Sequence, residues 1–414
     1  MDVPAFENKI ERMCQERVIP GVLCIASDTT GSFQYKKAFG VRTLKEDTPH
    51  DLLKVDATMW LASCTKLIGT IAVMQLVEQG KIGLDSDITE FIPELKGLEI
   101  LKGFETIDGV ETPILEGNER VITLKMLLTH QSGLSYQFFN PNIIKHRALT
   151  GGETPAIYMT SPDLISTFKT PLTYVPGEGW EYSSGIDWAG LIVERISGME
   201  LETYFQKHIW DPLDVRSMTF FPAQHPEIAG KLVDMSLRAG GSTAMGTAVD
   251  PNGKMEYTTD TVWNPDMKFA SAGAGLYGAP LDYQKLLHSL CVGDEKILEN
   301  ATLDLMFQDH LAPAAKTAFE ATLEVKELRA VYGVREGQKV SWGIGGMVYL
   351  EDVEGGRRKG TMNWGGYPGL FWFCDRVSGV SGVLASQIIP PGDEVFKGVM
   401  EEWEGVVYRN AGKV

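Results

Sequence analysis

The feature that most constrains this chain is a mostly apolar stretch, residues 67–77, which directly follows a Ser-Cys-Thr-Lys tetrad at 63–66. The pattern predicts a helix that runs to Gln79, with Gly80 as its C-terminal stop. A helix with so few polar positions is stable only when other elements cover it. The rest of the fold must therefore pack around this helix.

Ser63 and Lys66 lie three residues apart and therefore share one face of the predicted helix. A serine in the first turn has its own amide among the unpaired donors, where an oxyanion could sit. Burial would lower the pKa of the lysine and let its amine take the proton of the hydroxyl. The alternative, an N-cap serine beside a solvated lysine, stays open on this evidence.

The chain contains a second copy of the same spacing, at Ser166 and Lys169. Thr170-Pro171 ends the helix directly behind that copy, so no long apolar helix buries its serine. Context, and not the spacing alone, therefore favours Ser63.

Short apolar or alternating segments at both ends of the chain predict an antiparallel sheet. The predicted strands are residues 22–27, 33–39, 340–350, 359–364, 370–375 and 379–387. Helices are predicted at 4–17 and 395–408, and the region from about 95 to 300 is expected to be mostly helices and loops.

The expected fold class is α+β: an antiparallel sheet flanked by helices, plus a mainly helical insertion. Residues 1–90 and 300–414 are expected to form the lobe with the sheet, and residues 91–299 a mainly helical lobe. The active site is expected between the two lobes.

Composition excludes several classes of function. The sequence contains no run of 18 apolar residues, so no transmembrane helix is expected, and the first residues do not resemble a secretory signal. A net charge of −17 argues against nucleic acid or anionic membranes as partners. Five scattered cysteines without a C-x-x-C pair suit reduced thiols, so a cytoplasmic protein is expected.

A histidine-based triad or a metal site has little support. The chain lacks G-x-S-x-G, H-x-x-x-H and H-E-x-x-H. Its seven histidines are His50, His130, His146, His208, His225, His288 and His310. His130, in Leu-Thr-His-Gln-Ser-Gly, is interpreted as structural, and no cofactor or metal is expected.

Two other stretches are candidates for the remaining catalytic groups. Tyr182 follows a turn-rich approach and precedes a helix, where a tyrosine near a lysine cation could relay a proton; a packing role is the alternative. The glycine-rich segment 363–369 lies between two predicted strands, so it is either a simple bulge or the source of an oxyanion-hole amide.

A third glycine-rich stretch, residues 273–278, matches G-x-G-x-x-G. The residues before it do not form a buried parallel strand, which a dinucleotide site requires. A tight turn into a helix after Pro280 is the better interpretation.

Three motifs in order carry a resemblance to a known superfamily: Ser-x-x-Lys at 63–66, Tyr-x-Asn/Ser at 182–184, and Trp-Gly-Gly at 364–366 in the place of Lys-Thr-Gly. Residues 80–85 and 127–134 are also typical of it. The chain resembles the serine β-lactamase-like superfamily, in the branch of class C β-lactamases and family VIII esterases. Within that branch it is most similar to the fungal lovastatin-type polyketide acyltransferases (transesterases).

The resemblance runs from about residue 10 to 405 and implies a β-lactamase/transpeptidase-like fold. It implies an acyl intermediate on Ser63, with Lys66 and Tyr182 moving the protons. It also implies an oxyanion hole made by the amides of Ser63 and Tyr367, a position where the related transferases carry glycine. Trp364 in place of the lactamase lysine removes the cation that would hold a β-lactam carboxylate.

The implied function is transfer of an acyl group from a thioester or ester donor to an alcohol of a polyketide-like secondary metabolite. A carboxylesterase shares every catalytic residue and stays an alternative, followed by a β-lactamase or peptidase and by a non-catalytic binding protein. The expected substrate-binding residues are Tyr136, Trp188, Trp364, Gly365 and Gly366. Further aromatic pocket walls are expected at Phe138, Phe139, Tyr367 and Trp372.

The expected partners are a small-molecule acyl donor and an alcohol acceptor. An acyl carrier protein as donor would need a basic docking patch. The run Arg357-Arg358-Lys359 is the local candidate, and a solvated turn is the alternative interpretation.

Overall fold

The sheet of this fold joins the two ends of the chain. The computed structural model describes residues 2–48, 51–151, 161–240, 250, 252–260 and 263–411, so His50 lies outside the described residues. Seven strands form an antiparallel sheet in the order β10-β11-β12-β13-β14-β1-β2. The predicted fold class, an α+β protein with a central antiparallel sheet, is confirmed.

The strands are short except in the central sheet and in one hairpin. They are β1 (Gly21–Asp28), β2 (Gln34–Gly40), β3 (Met59–Trp60), β4 (Ile100–Ile107), β5 (Val110–Glu116), β6 (Met218–Thr219), β7 (Ser236–Arg238), β8 (Met255–Tyr257), β9 (Tyr277–Gly278), β10 (Val340–Trp342), β11 (Met347–Tyr349), β12 (Met362–Gly366), β13 (Leu370–Asp375), β14 (Val380–Ala385) and β15 (Ile388–Ile389).

The helices lie mostly between β3 and β10 in the chain. They are α1 (Val3–Gln15), α2 (Thr65–Glu78), α3 (Leu124–Leu128), α4 (Pro141–Leu149), α5 (Leu164–Phe168), α6 (Gly185–Ser197), α7 (Leu201–Phe205), α8 (Asp211–Leu213), α9 (Pro226–Ala229), α10 (Pro280–Val292), α11 (Asn300–Met306), α12 (Pro313–Glu324), α13 (Lys326–Val331) and α14 (Glu394–Asn410). Within the described residues, no helix is both long enough and apolar enough to cross a bilayer.

The central strands of the sheet are buried on both faces, as the unbroken burial of β1, β13 and β14 shows. Side chains alternate along a strand, so Leu23 faces the core around α2 and α10, whereas Cys24 faces α1 and α14. The second face buries Phe6 of α1 and Trp403 of α14, both fully inaccessible to solvent. Terminal helices thus cover one side and the interior helices the other.

Helix α2 is buried from Thr65 to Leu76. A Cβ at its Gly69 would stand 3.0 Å from the Cβ of Ala272 and 3.2 Å from a methyl of Ile186 in α6. This close contact fixes α2 against α6 and the loop before β9. The predicted central position of the apolar helix is confirmed.

The structure differs from the sequence prediction at three places. Residues 100–116 form the β4–β5 hairpin within the region expected to be helices and loops. The segment Ser161-Pro162-Asp163 predicts an N-cap at Ser161 with proline at the first helical position, but the N-cap of α5 is Asp163, whose carboxylate accepts the amide of Ser166 at 2.8 Å. The predicted strand at 340–350 is two strands, β10 and β11. The division into two lobes stays a prediction.

Candidate active site

Ser63 lies in a short 3-10 turn, Ala62–Cys64, that leads directly into α2. Ala62 has a φ of 45°, a left-handed conformation that costs a non-glycine residue on the order of 1–2 kcal/mol. This turn leaves Ser63 half-buried while Ala62 and Cys64 on either side are buried. The serine hydroxyl therefore has access to open space within an otherwise closed segment.

Lys66 lies one turn further on and is only 1 % exposed. Its Nζ donates hydrogen bonds to Tyr136 Oη at 2.9 Å and to the carbonyl of Gly273 at 2.7 Å, and it is hydrogen-bonded to Ser63 Oγ at 3.2 Å. Loss of hydration lowers the pKa of Lys66 to about 7, although the charge of Asp187 opposes this shift. The alternative of a solvated lysine is therefore wrong, and near neutral pH the amine is a base.

Tyr182 completes a triangle with these two residues. Its hydroxyl accepts a 3.0 Å hydrogen bond from Nε1 of Trp364 and lies near the side chain of Ser63. Burial raises the pKa of Tyr182 far above its ordinary range, so the phenol keeps its proton. Because an indole can only donate, the proton of Tyr182 is left to point toward the serine side.

The end of β12 lies against the turn that carries Ser63. A Cβ at Gly366 would stand 2.5 Å from the carbonyl oxygen of Leu61, so only glycine permits this approach. Tyr367 follows directly and lines the same two cavities as Ser63. This close approach argues against the alternative of a simple bulge. An oxyanion hole from the amides of Ser63 and Tyr367 stays a prediction.

Two cavities meet at Ser63, Phe139, Tyr182 and Tyr367. The α14 cavity, of about 130 Å³, lies toward α14 and β12. Its further lining includes Tyr332, Trp364, Pro391, Phe396, Lys397 and Met400. The Trp60 cavity, of about 60 Å³, is smaller, and its further lining includes Trp60, Ala62, Tyr136, Phe138, Trp263 and Ala274. A single nucleophile thus faces two separate spaces.

Most of the predicted site residues converge here. Tyr136, Phe138, Phe139, Trp364, Gly365, Gly366 and Tyr367 line one or both cavities. Trp188 and Trp372 do not; they are 0 % and 1 % exposed and belong to the main core. Trp188 is on the inward face of α6. The apolar run from Trp188 onward predicts a helix that starts at residue 188, but α6 begins three residues earlier, at Gly185.

Tyr136, which was expected to contact substrate, also contacts Lys66 and Asp187. Its ring lines the Trp60 cavity, but its hydroxyl accepts from Lys66 and donates to Asp187 at 3.1 Å. Tyr136 therefore contacts Lys66 as well as the cavity.

His130 is fully buried behind Tyr182, with ring centroids 4.7 Å apart. Its Nδ1 accepts the amide of Ser183 at 3.1 Å, and burial holds the pKa of His130 well below its ordinary value. The neutral ring braces the segment that carries Tyr182, as a structural histidine would.

Sequence reasoning missed Asp187 and Gly273. Asp187 is fully buried beside Lys66, and Gly273 supplies a carbonyl to the amine. An acid in the first turn of a largely apolar helix was the available signal, because charged residues are rarely buried without a partner. The glycine-rich stretch 273–278 is a turn and a short strand ahead of α10, as predicted, but its first residue contacts the site.

Only two of the three basic residues at 357–359 are exposed, so the predicted basic patch is smaller than expected. Arg357 is 4 % exposed and forms a buried bidentate ion pair with Glu404, at 2.5 and 2.8 Å. Arg358 and Lys359 are exposed, and Arg358 pairs with Asp352. Arg357 therefore cannot take part in docking. Across the described ranges, no group of three or more His, Cys, Asp and Glu side chains could hold a metal ion.

Comparison with known proteins supports the same class of site. The beta-lactamase family model matches residues 6–402. Lovastatin esterase of Penicillium rubens is 39% identical over 94% of both chains. Monacolin J acid methylbutanoyltransferase of Aspergillus terreus is 32% identical over 98% of this chain and 95% of the relative. The structure of a mutant simvastatin synthase of Aspergillus terreus superimposes with a TM-score of 0.88 at 32% identity, covering 99% of this chain and 95% of that one.

Proposed function

The chain belongs to the beta-lactamase family, and we propose that it transfers an acyl group from an ester or thioester to an alcohol through an acyl-Ser63 intermediate. It is an enzyme of the serine acyltransferase and ester hydrolase class. The observation that carries the proposal is a fully buried amine, Lys66 Nζ, 3.2 Å from the half-exposed hydroxyl of Ser63.

In the first half of the cycle, Ser63 Oγ attacks the carbonyl carbon of the donor while Lys66 takes the serine proton. The amides of Ser63 and Tyr367 receive the negative oxygen of the tetrahedral intermediate. Tyr182 gives its proton to the leaving oxygen or sulfur and is reprotonated by Lys66. The leaving group departs as an alcohol or thiol, and the acyl group stays on Ser63.

In the second half, an alcohol occupies the place of the leaving group. Tyr182 takes the alcohol's proton while passing its own to Lys66, and the alkoxide attacks the acyl carbonyl. Collapse of the intermediate expels Ser63, which recovers its proton from Lys66. The product is a new ester, and each residue returns to its starting protonation state.

The substrate class follows from the walls of the two cavities and from the relatives. The α14 cavity is lined by aromatic and apolar side chains such as Phe396 and Met400, which suits a bulky apolar body. The names of the relatives include monacolin J acid and lovastatin, both polyketides. We therefore assign a polyketide-like alcohol as acceptor and a small acyl group as the transferred unit.

Hydrolysis of such an ester is the second candidate function, and one comparison favours it. The lovastatin esterase is 39% identical, against 32% for the methylbutanoyltransferase. Both outcomes use the same residues, so exclusion of water decides between them. Incubation with a short acyl thioester and a panel of polyketide alcohols, followed by mass analysis, separates the two. Free acid as the sole product with every alcohol would mean that the enzyme is a hydrolase.

Hydrolysis of β-lactams is disfavoured by Trp364, whose indole occupies the position of the lactamase cation. Nitrocefin turnover at rates comparable with those of esters would reverse this assignment. A non-catalytic binding role predicts no turnover of any ester and ligand binding that Lys66→Ala leaves intact.

Two finer assignments belong to the proposal. An acyl carrier protein is a candidate donor, and Arg358 and Lys359 are the exposed cations of the basic run that could meet it. Charge reversal of both should weaken transfer from a carrier-bound donor and spare transfer from a free thioester. A cytoplasmic location is supported by five cysteines that are all free thiols.

The central test uses Ser166, from the second copy of the Ser-x-x-Lys spacing, as its control. Ser63→Ala should abolish turnover of p-nitrophenyl esters and the covalent acyl adduct detected by mass spectrometry, whereas Ser166→Ala should retain both. Lys66→Arg should lose at least about a thousandfold in kcat/KM, because a guanidinium cannot give up its proton. An active, acylated Ser63→Ala enzyme would end the proposal.

A further inference from the structure

A hydrogen-bonded carboxylate lies behind the general base. Asp187 Oδ2 accepts from Tyr136 Oη at 3.1 Å, and Oδ1 accepts from Ser271 Oγ at 2.5 Å and from the amide of Gly273 at 3.0 Å. Asp187 is fully buried, and the catalytic cycle above makes no use of it. Burial raises the pKa of Asp187, whereas the charge of Lys66 and these three hydrogen bonds oppose that shift and favour the ionised carboxylate.

The chain leaves no spare room around this carboxylate. A Cβ at Gly273 would stand 2.2 Å from Asp187 Oδ2 and 2.7 Å from Tyr136 Oη. Only glycine lets the backbone pass close enough for its amide to reach Asp187 and its carbonyl to reach Lys66. The arrangement therefore depends on side chains and backbone from three separate segments.

We propose that Asp187 is a positioning residue that acts through Tyr136 and directs the lone pair of neutral Lys66 toward the hydroxyl of Ser63. The inference rests on the proposed role of Lys66 as general base. It concerns the direction in which the amine accepts a proton, which the proposed function leaves open.

The argument is a count of protons around Lys66 Nζ. A neutral amine has two N–H groups and one lone pair, and three partners surround it. The carbonyl of Gly273 can only accept. Tyr136 could accept or donate, but its proton is already given to Asp187, so toward Lys66 it can only accept. Both N–H groups are thus used, and the lone pair is left for Ser63.

Without the carboxylate, this direction is lost. An asparagine at 187 can turn its amide nitrogen toward Tyr136, whose proton is then free to bind the lone pair of Lys66. A base whose lone pair is already hydrogen-bonded to a phenol is a poorer acceptor for the serine proton. The loss should fall on kcat, since the cavities themselves are unchanged.

Asp187 also acts on the charge of Lys66. The titratable groups that face the amine are Cys64, His130, Tyr136, Tyr182 and Asp187. Asp187 is the carboxylic acid among them, and its negative charge stabilises the ammonium form of Lys66. Removing that charge should let Lys66 lose its proton at lower pH.

The experiment compares Asp187→Asn, Tyr136→Phe and the double variant with the native enzyme on one p-nitrophenyl ester across pH. Asp187→Asn should lower kcat at about pH 9 by roughly tenfold or more with little change in KM. The rise of kcat/KM on the acidic side of the pH profile (the acid limb) should occur about one pH unit lower than in the native enzyme. In the Tyr136→Phe background, Asp187→Asn should cause no further loss of kcat at that pH, because it acts through the tyrosine.

Ser271→Ala is the matched control, since it removes a hydrogen bond to the same carboxylate and keeps its charge. Its acid limb should stay where the native limb lies. An unmoved limb in Asp187→Asn, or losses that multiply in the double variant, would overturn the proposal. If thermal melting shows that Asp187→Asn is unfolded, Tyr136→Phe alone decides: undiminished kcat at about pH 9 in that variant rejects the role.

Failure of the proposed function would look different. It would be seen in the native enzyme, as ester turnover that survives Ser63→Ala. Failure of the Asp187 inference leaves Ser63-dependent turnover intact and changes the assignment of the carboxylate alone.

Discussion

The indole nitrogen of Trp364 donates a 3.0 Å hydrogen bond to the hydroxyl of Tyr182. The two rings lie 5.3 Å apart, and Trp364 also packs edge-on against Trp342 at 4.6 Å. Trp364 thus serves as a fixed donor to the phenol of Tyr182. The bond settles which way the proton of Tyr182 points, and so which groups it can protonate.

Trp364→Phe should therefore lower kcat more than KM. The phenyl ring keeps most of the packing but cannot donate, so Tyr182 is free to turn its proton away from Ser63. We expect a fall in kcat of about tenfold or more, measured with a p-nitrophenyl ester. Trp342→Phe removes a similar volume from the same aromatic cluster without removing a donor to Tyr182. Equal effects of the two substitutions would mean that packing alone explains the loss.

Lys66 should destabilise the fold below neutral pH. An unfolded chain keeps this proton up to the ordinary pKa of 10.5, whereas the folded chain releases it at about 7. Between these values the unfolded state binds more protons, so the free energy of unfolding rises with pH. Relative to native enzyme, Lys66→Met should be most stabilising at about pH 6, and its advantage should shrink by about 2–3 kcal/mol at about pH 9.

Urea unfolding of both proteins at the two pH values measures this difference. The exposed Lys96 provides the control, since Lys96→Met should shift the free energy of unfolding by the same amount at both pH values. A pH-independent effect of Lys66→Met would show that the amine titrates normally in the folded enzyme.

Trp60 and Trp263 separate the Trp60 cavity from a neighbouring space. Their rings stack at 5.7 Å, and behind them lies a further cavity of about 210 Å³ that both residues also line. Trp263→Ala should join the two spaces and admit longer acyl chains. We expect the ratio of kcat/KM for decanoyl against butanoyl p-nitrophenyl esters to rise at least about tenfold, as the burial of added methylenes predicts.

Trp263→Phe keeps an aromatic ring in the partition and should leave that ratio close to the native value. If the alanine variant also keeps the native ratio, the acyl group does not enter the Trp60 cavity. The α14 cavity would then hold the acyl chain.

Arg357 stabilises the fold through a buried ion pair, whereas the ion pair of its neighbour Arg358 is exposed. Arg357→Ala would leave the buried carboxylate of Glu404 without its partner, at a cost of about 3–5 kcal/mol in the free energy of unfolding. Arg358→Ala, at the exposed pair with Asp352, should change it by less than about 1 kcal/mol. Urea titrations compare the two, and equal costs would contradict the buried ion pair.

The sequence predicted the elements whose signals are local. Threonine before the run Leu124–Leu128 predicts an N-cap at Thr123, and both this N-cap and the limits of β13 at 370–375 agree with the structure. Ser63, Lys66 and Tyr182 could be selected because motif order and helix context act together, and the structure brings all three to one place.

The β4–β5 hairpin was missed although a local signal exists. Asp108 and Gly109 both have positive φ, and an Asp-Gly pair is typical of a two-residue hairpin turn. Much of this hairpin is exposed on both faces, so its apolar residues do not alternate cleanly as those of a half-buried strand do.

The remaining errors concern tertiary contacts. Whether Trp188 faces a pocket or the core depends on where α6 begins, and Gly185 starts that helix one turn earlier than the apolar pattern indicated. Asp187 has no motif of its own, because its role depends on Tyr136, 51 residues earlier, and on Gly273, 86 residues later. Such a relationship exists only in three dimensions.

Strand β1 lies between β2, its neighbour in the chain, and β14, with Leu23 opposite Ala385. During synthesis, β1 and the helix that carries Lys66 leave the ribosome long before β12 and β14 exist. Tyr367, which follows β12, and the strand that holds β1 in the sheet therefore arrive last. Such distant pairing slows folding and leaves intermediates exposed. If Ser63 is acylated as proposed, a nascent chain carries this serine before the segment of Tyr367 exists, and acylation must wait for a nearly finished polypeptide.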